Sequence, residues 1–153
     1  MRMKWILAAL LTILLLSSCS SAAESTISPA VQEAMDQIEL EPGKAAIVGQ
    51  VVTNASGEPV LLPDTVVRLA KVFWNEENSD GAFVLEGGSS PSDITDELGV
   101  FVHVNIDPAD YVVVVGEVIG THEIISNSDG SAQIFTVEEG QILDVGIIRV
   151  SIE

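Results

Sequence analysis

The chain has 153 residues, with 23 acidic side chains against 6 basic ones and a formal net charge of −17 at pH 7. That length allows one compact domain with a tail and excludes two large domains. The charge repels phosphate backbones and anionic lipid headgroups, which excludes nucleic-acid binding and electrostatic docking to a membrane. A single cysteine permits neither an internal disulfide nor a cysteine-based zinc site.

The N-terminus carries two positive charges, Arg2 and Lys4, followed by an unbroken run of twelve mostly aliphatic residues from Trp5 to Leu16 and then Ser17, Ser18, Cys19 and Ser20. This is the layout of a signal peptide over residues 1–18. Twelve apolar residues fall short of the roughly 20 that a spanning helix needs. The stretch Leu16-Ser17-Ser18-Cys19 resembles the lipobox of bacterial lipoproteins. The resemblance implies that the Cys19 thiol receives a diacylglycerol and that cleavage just before it makes Cys19 the first residue of the mature chain. With about 0.8 kcal/mol for each buried methylene, two or three acyl chains hold a protein at a bilayer without any protein patch. Ser20 stands where an aspartate would resemble an inner-membrane retention signal. The expected address is therefore the outer membrane of a diderm cell, or otherwise the outer face of the cytoplasmic membrane. The rival reading is ordinary secretion with cleavage after Ala23 and loss of Cys19.

Residues 19–44 are small and polar with interspersed acids, the composition of a flexible spacer. Within it Ser28, Pro29 and the helical spacing of Val31, Met35 and Ile38 predict a short helix over 29–40, stopped by Pro42-Gly43. Such a helix is expected to pack lightly on the domain or to dock a partner.

From Ala45 onward there are 19 valines and 11 isoleucines, in apolar runs separated by Gly, Pro, Asn and Asp clusters. This predicts an all-β domain over 45–153. Strands are expected near 46–54, 65–74, 82–86, 100–106, 111–118, 132–137 and 142–151, with a short extra one near 122–125. About seven short strands with turns between them suggest an antiparallel β-sandwich. In the run 100–106, Val100, Val102, Val104 and Ile106 alternate with Phe101, His103 and Asn105, so one face is core and His103 is expected on the other, at the surface. Tyr111 to Val115 is apolar at every position, as in a central strand covered on both faces. In the last run Leu143, Val145 and Ile147 share one parity and Ile148, Val150 and Ile152 the other. A bulge near Gly146 would keep both sets inward.

Three landmarks, Gly49-Gln50-Val51-Val52-Thr53-Asn54-Ala55-Ser56-Gly57-Glu58-Pro59-Val60, Thr95-Asp96-Glu97-Leu98-Gly99-Val100-Phe101 and Asp107-Pro108-Ala109-Asp110-Tyr111, together resemble the carboxypeptidase regulatory-like domain. The resemblance implies a transthyretin-like (prealbumin-like), Greek-key β-sandwich over about residues 45–150, of a kind commonly appended to exported proteins as a non-catalytic module. Where that family has Pro-Gly before the tyrosine, this chain has Pro108-Ala109-Asp110. The lysine-asparagine crosslink of related pilin-like sandwiches is not expected, because 46–54 contains no lysine and the last strand offers Asp144 but no asparagine.

Candidate chemistry is sparse. Glu76, Asn78 and Asp80, followed by Gly81, alternate as in the first half of a calcium-binding loop, but the closing acid is missing because Gly87 stands at the twelfth position. The turn Asn127-Ser128-Asp129-Gly130 fails in the same way. Calcium is the one cofactor considered, and solvated hairpin loops explain both segments without it. His103 and His122 lack partners at metal-ligand spacing. The chain has no nucleophile elbow, phosphate-binding glycine loop or zinc-protease helix. Phe73 and Trp74, beside the acidic 75–81 loop, are either a ligand platform or, for Trp74, a core plug. The sequence thus points to a lipid-anchored, non-enzymatic envelope protein whose sandwich serves as a structural or protein-interaction module. The alternative is a solute-binding accessory lipoprotein that takes a glycan or peptide at Trp74 and the loop after it.

Overall fold

The computed structural model describes residues 28–54, 57–77, 80–85, 89–117 and 119–152. Cys19, its leader and Asn78 lie outside the described residues. One helix, α1 (Pro29–Asp36), precedes β1 (Ala45–Thr53), β2 (Val60–Leu61), β3 (Val66–Trp74), β4 (Gly81–Val84), β5 (Ser92–Ile94), β6 (Val100–Ile106), β7 (Ala109–Gly116), β8 (His122–Ile124), β9 (Ile134–Val137) and β10 (Ile142–Val150). The strands form a β-sandwich. In the first sheet β1 pairs with β10 along one edge and with β6 and β2 along the other. In the second, β3 and β7 pair centrally, β4 and β5 line the free edge of β3, and β8 and β9 line that of β7. Every pairing is antiparallel except β1 with β10, which is parallel. The short edge strands β2 and β5 were not legible as strands, because two or three residues show no alternation.

Alternation places Ile47 and Val51 of β1, Val67 and Leu69 of β3, Tyr111, Val113 and Val115 of β7, and Ile148 and Val150 of β10 in one core between the sheets. Each such aliphatic side chain stabilises the fold by about 1.5–3 kcal/mol when fully buried. β7 is interior and covered on both faces, as its unbroken apolar run requires: Val112 and Val114 pack on the outer side with Ala70, Val72, Phe83 and Leu85. In β10 the register against β1 shifts after Val48, and Gly146 sits at φ +75° with its N–H donating to Asp144 Oδ1. This bulge turns Leu143 and Val145 inward before it and Ile148, Val150 and Ile152 inward after it, leaving Ile147 exposed.

The expected surface position of His103 is overturned. Phe101 and His103 of β6 face the space between the sheets, and His103 is only 4% exposed. Val100 and Val102 face outward instead, and α1 covers them there. The strand does alternate, but a helix conceals the second face over Val100 and Val102, and of the strand's valines only Val104, beyond the helix, is left at the surface. Asn105, at φ +57°, breaks the β1–β6 register and brings Ile106 back into the inner core.

Residues 28–44 are built onto the sandwich. Val31, 1% exposed, packs against Val48 and Val100, with Met35 and Ile38 beside them. The helix ends at Asp36 rather than near 40, and Ser28 occupies its N-cap without a side-chain bond. Beyond it the Glu41 N–H donates to Asn105 Oδ1 at 2.8 Å, and Lys44 Nζ bridges to Asp107 Oδ1 at 2.8 Å.

The landmark residues do structural work. Gly57 takes φ +89° and its N–H closes the turn on the Asn54 carbonyl. Thr95 Oγ1 donates to the Leu62 carbonyl and accepts from the Thr65 N–H, tying β5 to the chain before β3. Asp96 Oδ1 accepts from the N–H groups of Leu98 and Val100. The Tyr111 hydroxyl donates to the Asp107 carbonyl at 2.9 Å, locking the β6–β7 turn.

Candidate functional site

The two sheets meet along a seam where the edge strand β6 faces β5. An edge strand presents unpaired amides, and here carboxylates cap two of them: Asp93 Oδ2 accepts from the Val102 N–H at 2.7 Å and Asp96 Oδ1 from the Val100 N–H at 2.9 Å. Past these caps the seam opens into a cleft of about 390 Å³. Leu69, Lys71 and Phe73, on the inner face of β3, form one wall, and the end of β6 with Tyr111 forms the other. Ser89, Ser90 and Pro91 make a lip, and Lys44 with Asp107 closes the end. Its volume lies within the usual range for small-molecule sites.

Phe73 is 54% exposed, and Val84 and Val104 are also largely open to solvent, so the mouth is apolar. The polar end is ionic. Asp107 is held below its usual carboxylate range first by the hydrogen bond from Lys44 and then by that lysine's charge, with a smaller pull from Lys71. Lys44 is raised in turn by the same hydrogen bond and charge. Burial raises the Tyr111 phenol, and Asp107 adds to the effect. Among the described residues Lys71 has no ion-pair partner.

Phe73 and Trp74 do not form a joint platform, because consecutive strand residues point to opposite faces. Trp74 lies on the outer face, where its ring covers Gly81 so closely that a Cβ there would stand 2.9 Å from the indole. Its Nε1–H donates to Asp110 Oδ2 at 2.6 Å, and Asp110 Oδ1 accepts from Thr136 Oγ1 at 2.6 Å, so the indole ties β3 to β7 and β9. At 39% exposure it is no core plug either. In the β3–β4 turn the Asp80 N–H donates to Asn75 Oδ1 and the Asp80 carbonyl accepts from the Asn75 N–H. Glu76 lies in the same turn, and the third proposed calcium ligand, Asn78, lies outside the described residues. In the other glycine turn, Asp129 is bonded to the Ser131 N–H and hydroxyl, which hold its carboxyl below the usual range.

Lys44, Lys71 and Asp107 were not legible as a group. They come from β3 and two connecting turns, far apart in sequence, and only the scarcity of lysine hinted at them.

Behind the seam, His103 lies against Phe101 with ring centroids 5.6 Å apart, and its Nε2 has no hydrogen-bond partner among the described residues. Burial pushes the imidazole down to about 4, against the opposing pull of Asp93. The unfolded chain therefore binds a proton at a pH where the folded one does not. Stability is expected to be flat above about pH 6.5 and to fall by up to about 3 kcal/mol as pH drops from there to 4. Urea midpoints at pH 7 and pH 4.5 check this, and H103F should show a much smaller difference between them. Asp107 and Asp129, whose pKa values are lowered, lose their contributions only at still lower pH.

No family model matches the chain, and no curated protein matches it. Among solved structures, it is similar to a "putative carbohydrate binding protein" from Pseudomonas aeruginosa, with TM-score 0.45, 16% identity and coverage of 81% of this chain and 99% of that one. A 9R-lipoxygenase from Cyanothece PCC8801 aligns at TM-score 0.38 and 15% identity, over 81% of this chain and 21% of that one. Catechol 1,2-dioxygenase from Acinetobacter sp. ADP1 aligns at TM-score 0.32 and 16% identity, over 71% of this chain and 45% of that one. Likenesses this distant transfer no activity, and the sandwich itself is read from the strand pairings above.

Proposed function

We propose that the protein is a non-catalytic, solute-binding accessory module of the cell envelope, held to a membrane by lipid on Cys19, with the seam cleft as its working surface. The observation that carries this reading is the cleft itself: a concavity of about 390 Å³ with an exposed phenylalanine at its mouth, one lysine on its wall and another at its end. A cleft of this size suits a small solute better than a broad protein face, so the solute-binding reading moves ahead of scaffolding. Trp74, committed to Gly81 and Asp110, gives way to Phe73 as the ring available to a ligand. The polar groups lining the cleft are alcohols, an amide, two lysines and an ion-paired aspartate, a set suited to holding a ligand.

Filling the cleft tests this directly. Val104 is exposed on its rim, so V104W should fold normally while blocking the space. Full-length protein incubated with a small-molecule extract of the producing cells, then desalted and analysed by mass spectrometry, is expected to retain a species that V104W does not. Identical retention by both proteins would contradict the assignment of the cleft.

A further inference from the structure

We infer that the seam cleft selects a small organic monocarboxylate with an apolar or flat body, its carboxylate at Lys71 and its body against Phe73. This rests on the cleft being the working surface and adds the chemistry of what enters it.

The argument begins with charge. The chain carries 23 acids, and beyond the leader its basic residues are Lys44, Arg68, Lys71 and Arg149. Arg68 is buried on the opposite face of β3, where its Nη2 donates to the Glu117 carbonyl, and Arg149 lies on β10. Both lysines line this one cleft. Lys44 is engaged by Asp107 at 2.8 Å, which leaves Lys71 as the cation without an ion-pair partner among the described residues. Two ammonium groups and one carboxylate line the cleft, and although the Glu41 charge also reaches Lys44, Lys71 stands there as an uncompensated cation on a molecule whose net charge is −17.

That contrast sets the ligand class. A neutral solute would take only a hydrogen bond from a lysine placed here, without the charge attraction that an anion gains. A polyanion would meet a single available cation and the repulsion of the whole acidic surface, which grows with ligand charge. A monoanion suffers least from the long-range field while taking the full local attraction. Lysine presents a compact point charge with three donors, suited to one carboxylate oxygen rather than to a planar, two-pronged clamp. The apolar mouth of Phe73, Val84 and Val104 then requires a body that gains from leaving water.

Amide-detected NMR titration of the full chain with 3-phenylpropanoate and with its uncharged amide tests the assignment. Glucuronate and glucose form a second acid-neutral pair, which distinguishes a sugar acid from an apolar acid. 3-Phenylpropanoate should bind at least about tenfold more tightly than its amide, with shifts centred on Lys71, Phe73 and Val104, and should weaken as salt rises; an acid preference shown by glucuronate alone would overturn the apolar body. K71M should erase the preference and K71R should retain it. Lys71 is an exposed strand residue, and an unchanged thermal midpoint in K71M would show that the variant is folded. Equal binding of acid and neutral partner in the cleft would overturn the charge assignment and leave the cleft as the working surface. Shifts confined to other surfaces, or no saturable shift with any probe, would overturn both.

Discussion

Inserting one alanine between Gly146 and Ile147 is expected to abolish cooperative folding. Against β1, strand β10 already holds one extra residue, because Gly49 alone stands opposite Val145 and Gly146. A strand turns over with every residue, so a second extra residue, with β10 keeping its register before it, sends Ile148 and Val150 to the solvent side and Arg149 into the core. Ile148 and Val150 are both nearly fully buried and together represent about 3–6 kcal/mol of burial. An inward Arg149 adds the cost of an unpaired buried charge. If the first half of the strand slips instead, Leu143 and Val145 leave the core. Either loss is comparable with the typical stability of a small domain, about 5–15 kcal/mol. Deleting Gly146 is the control. It removes the extra residue, sets Val145 opposite Gly49 and keeps Ile148 and Val150 inward, so this variant should still melt cooperatively. G146A is milder still: a Cβ there meets nothing within 4 Å, so its cost comes from φ +75° alone and should be about 1–2 kcal/mol. Circular dichroism melts of the three variants check this: a sharp transition in the insertion variant near the wild-type midpoint, or loss of cooperativity in the deletion variant, would refute the role of the bulge.

Replacing Phe101 with alanine should cost about 3–5 kcal/mol, because its ring is fully buried between the sheets. The ring occupies space that Gly49 leaves open directly across the β1–β6 pair. A Cβ at Gly49 would stand 2.8 Å from the Phe101 ring and 2.6 Å from a Val145 methyl. G49A alone should therefore destabilise by about 1–3 kcal/mol through overpacking. In an F101L background the ring's share of that crowding disappears while the Val145 contact remains. The double variant should thus be more stable than the sum of the two single losses predicts. Guanidinium denaturation of the four proteins measures the coupling, and strict additivity would show that Gly49 does not accommodate the ring.

Much of this architecture could be read from the chain because its logic is local. Valine-rich runs bounded by turn residues mark the long strands. The continuous run Tyr111 to Val115 identifies the strand covered on both faces, and the parity change in β10 announces the bulge at Gly146. What escaped depends on what covers what. Phe101 and His103 alternate with Val100 and Val102, but nothing in that alternation reveals that α1 lies over the valines and the second sheet over the histidine. Trp74 and Phe73 are neighbours in sequence, and for that very reason point apart in a strand. The cleft draws Lys44, Lys71 and Asp107 from separate segments, so its charge emerges only when the sheets are assembled. Cys19 is the opposite case, because its proposed role is written in the residues immediately before it.

Location decides role for a module of this kind, since a domain held at the envelope meets external solutes and one held elsewhere does not. The most direct measurement is the intact mass and N-terminal fragmentation of the mature protein purified from cells. The proposed function predicts a chain beginning at Cys19 with diacylglycerol in thioether linkage on its sulfur, recovered with membranes and released into the soluble fraction by C19A. A mature chain beginning at Glu24, or one bearing an unmodified Cys19 thiol, would contradict it.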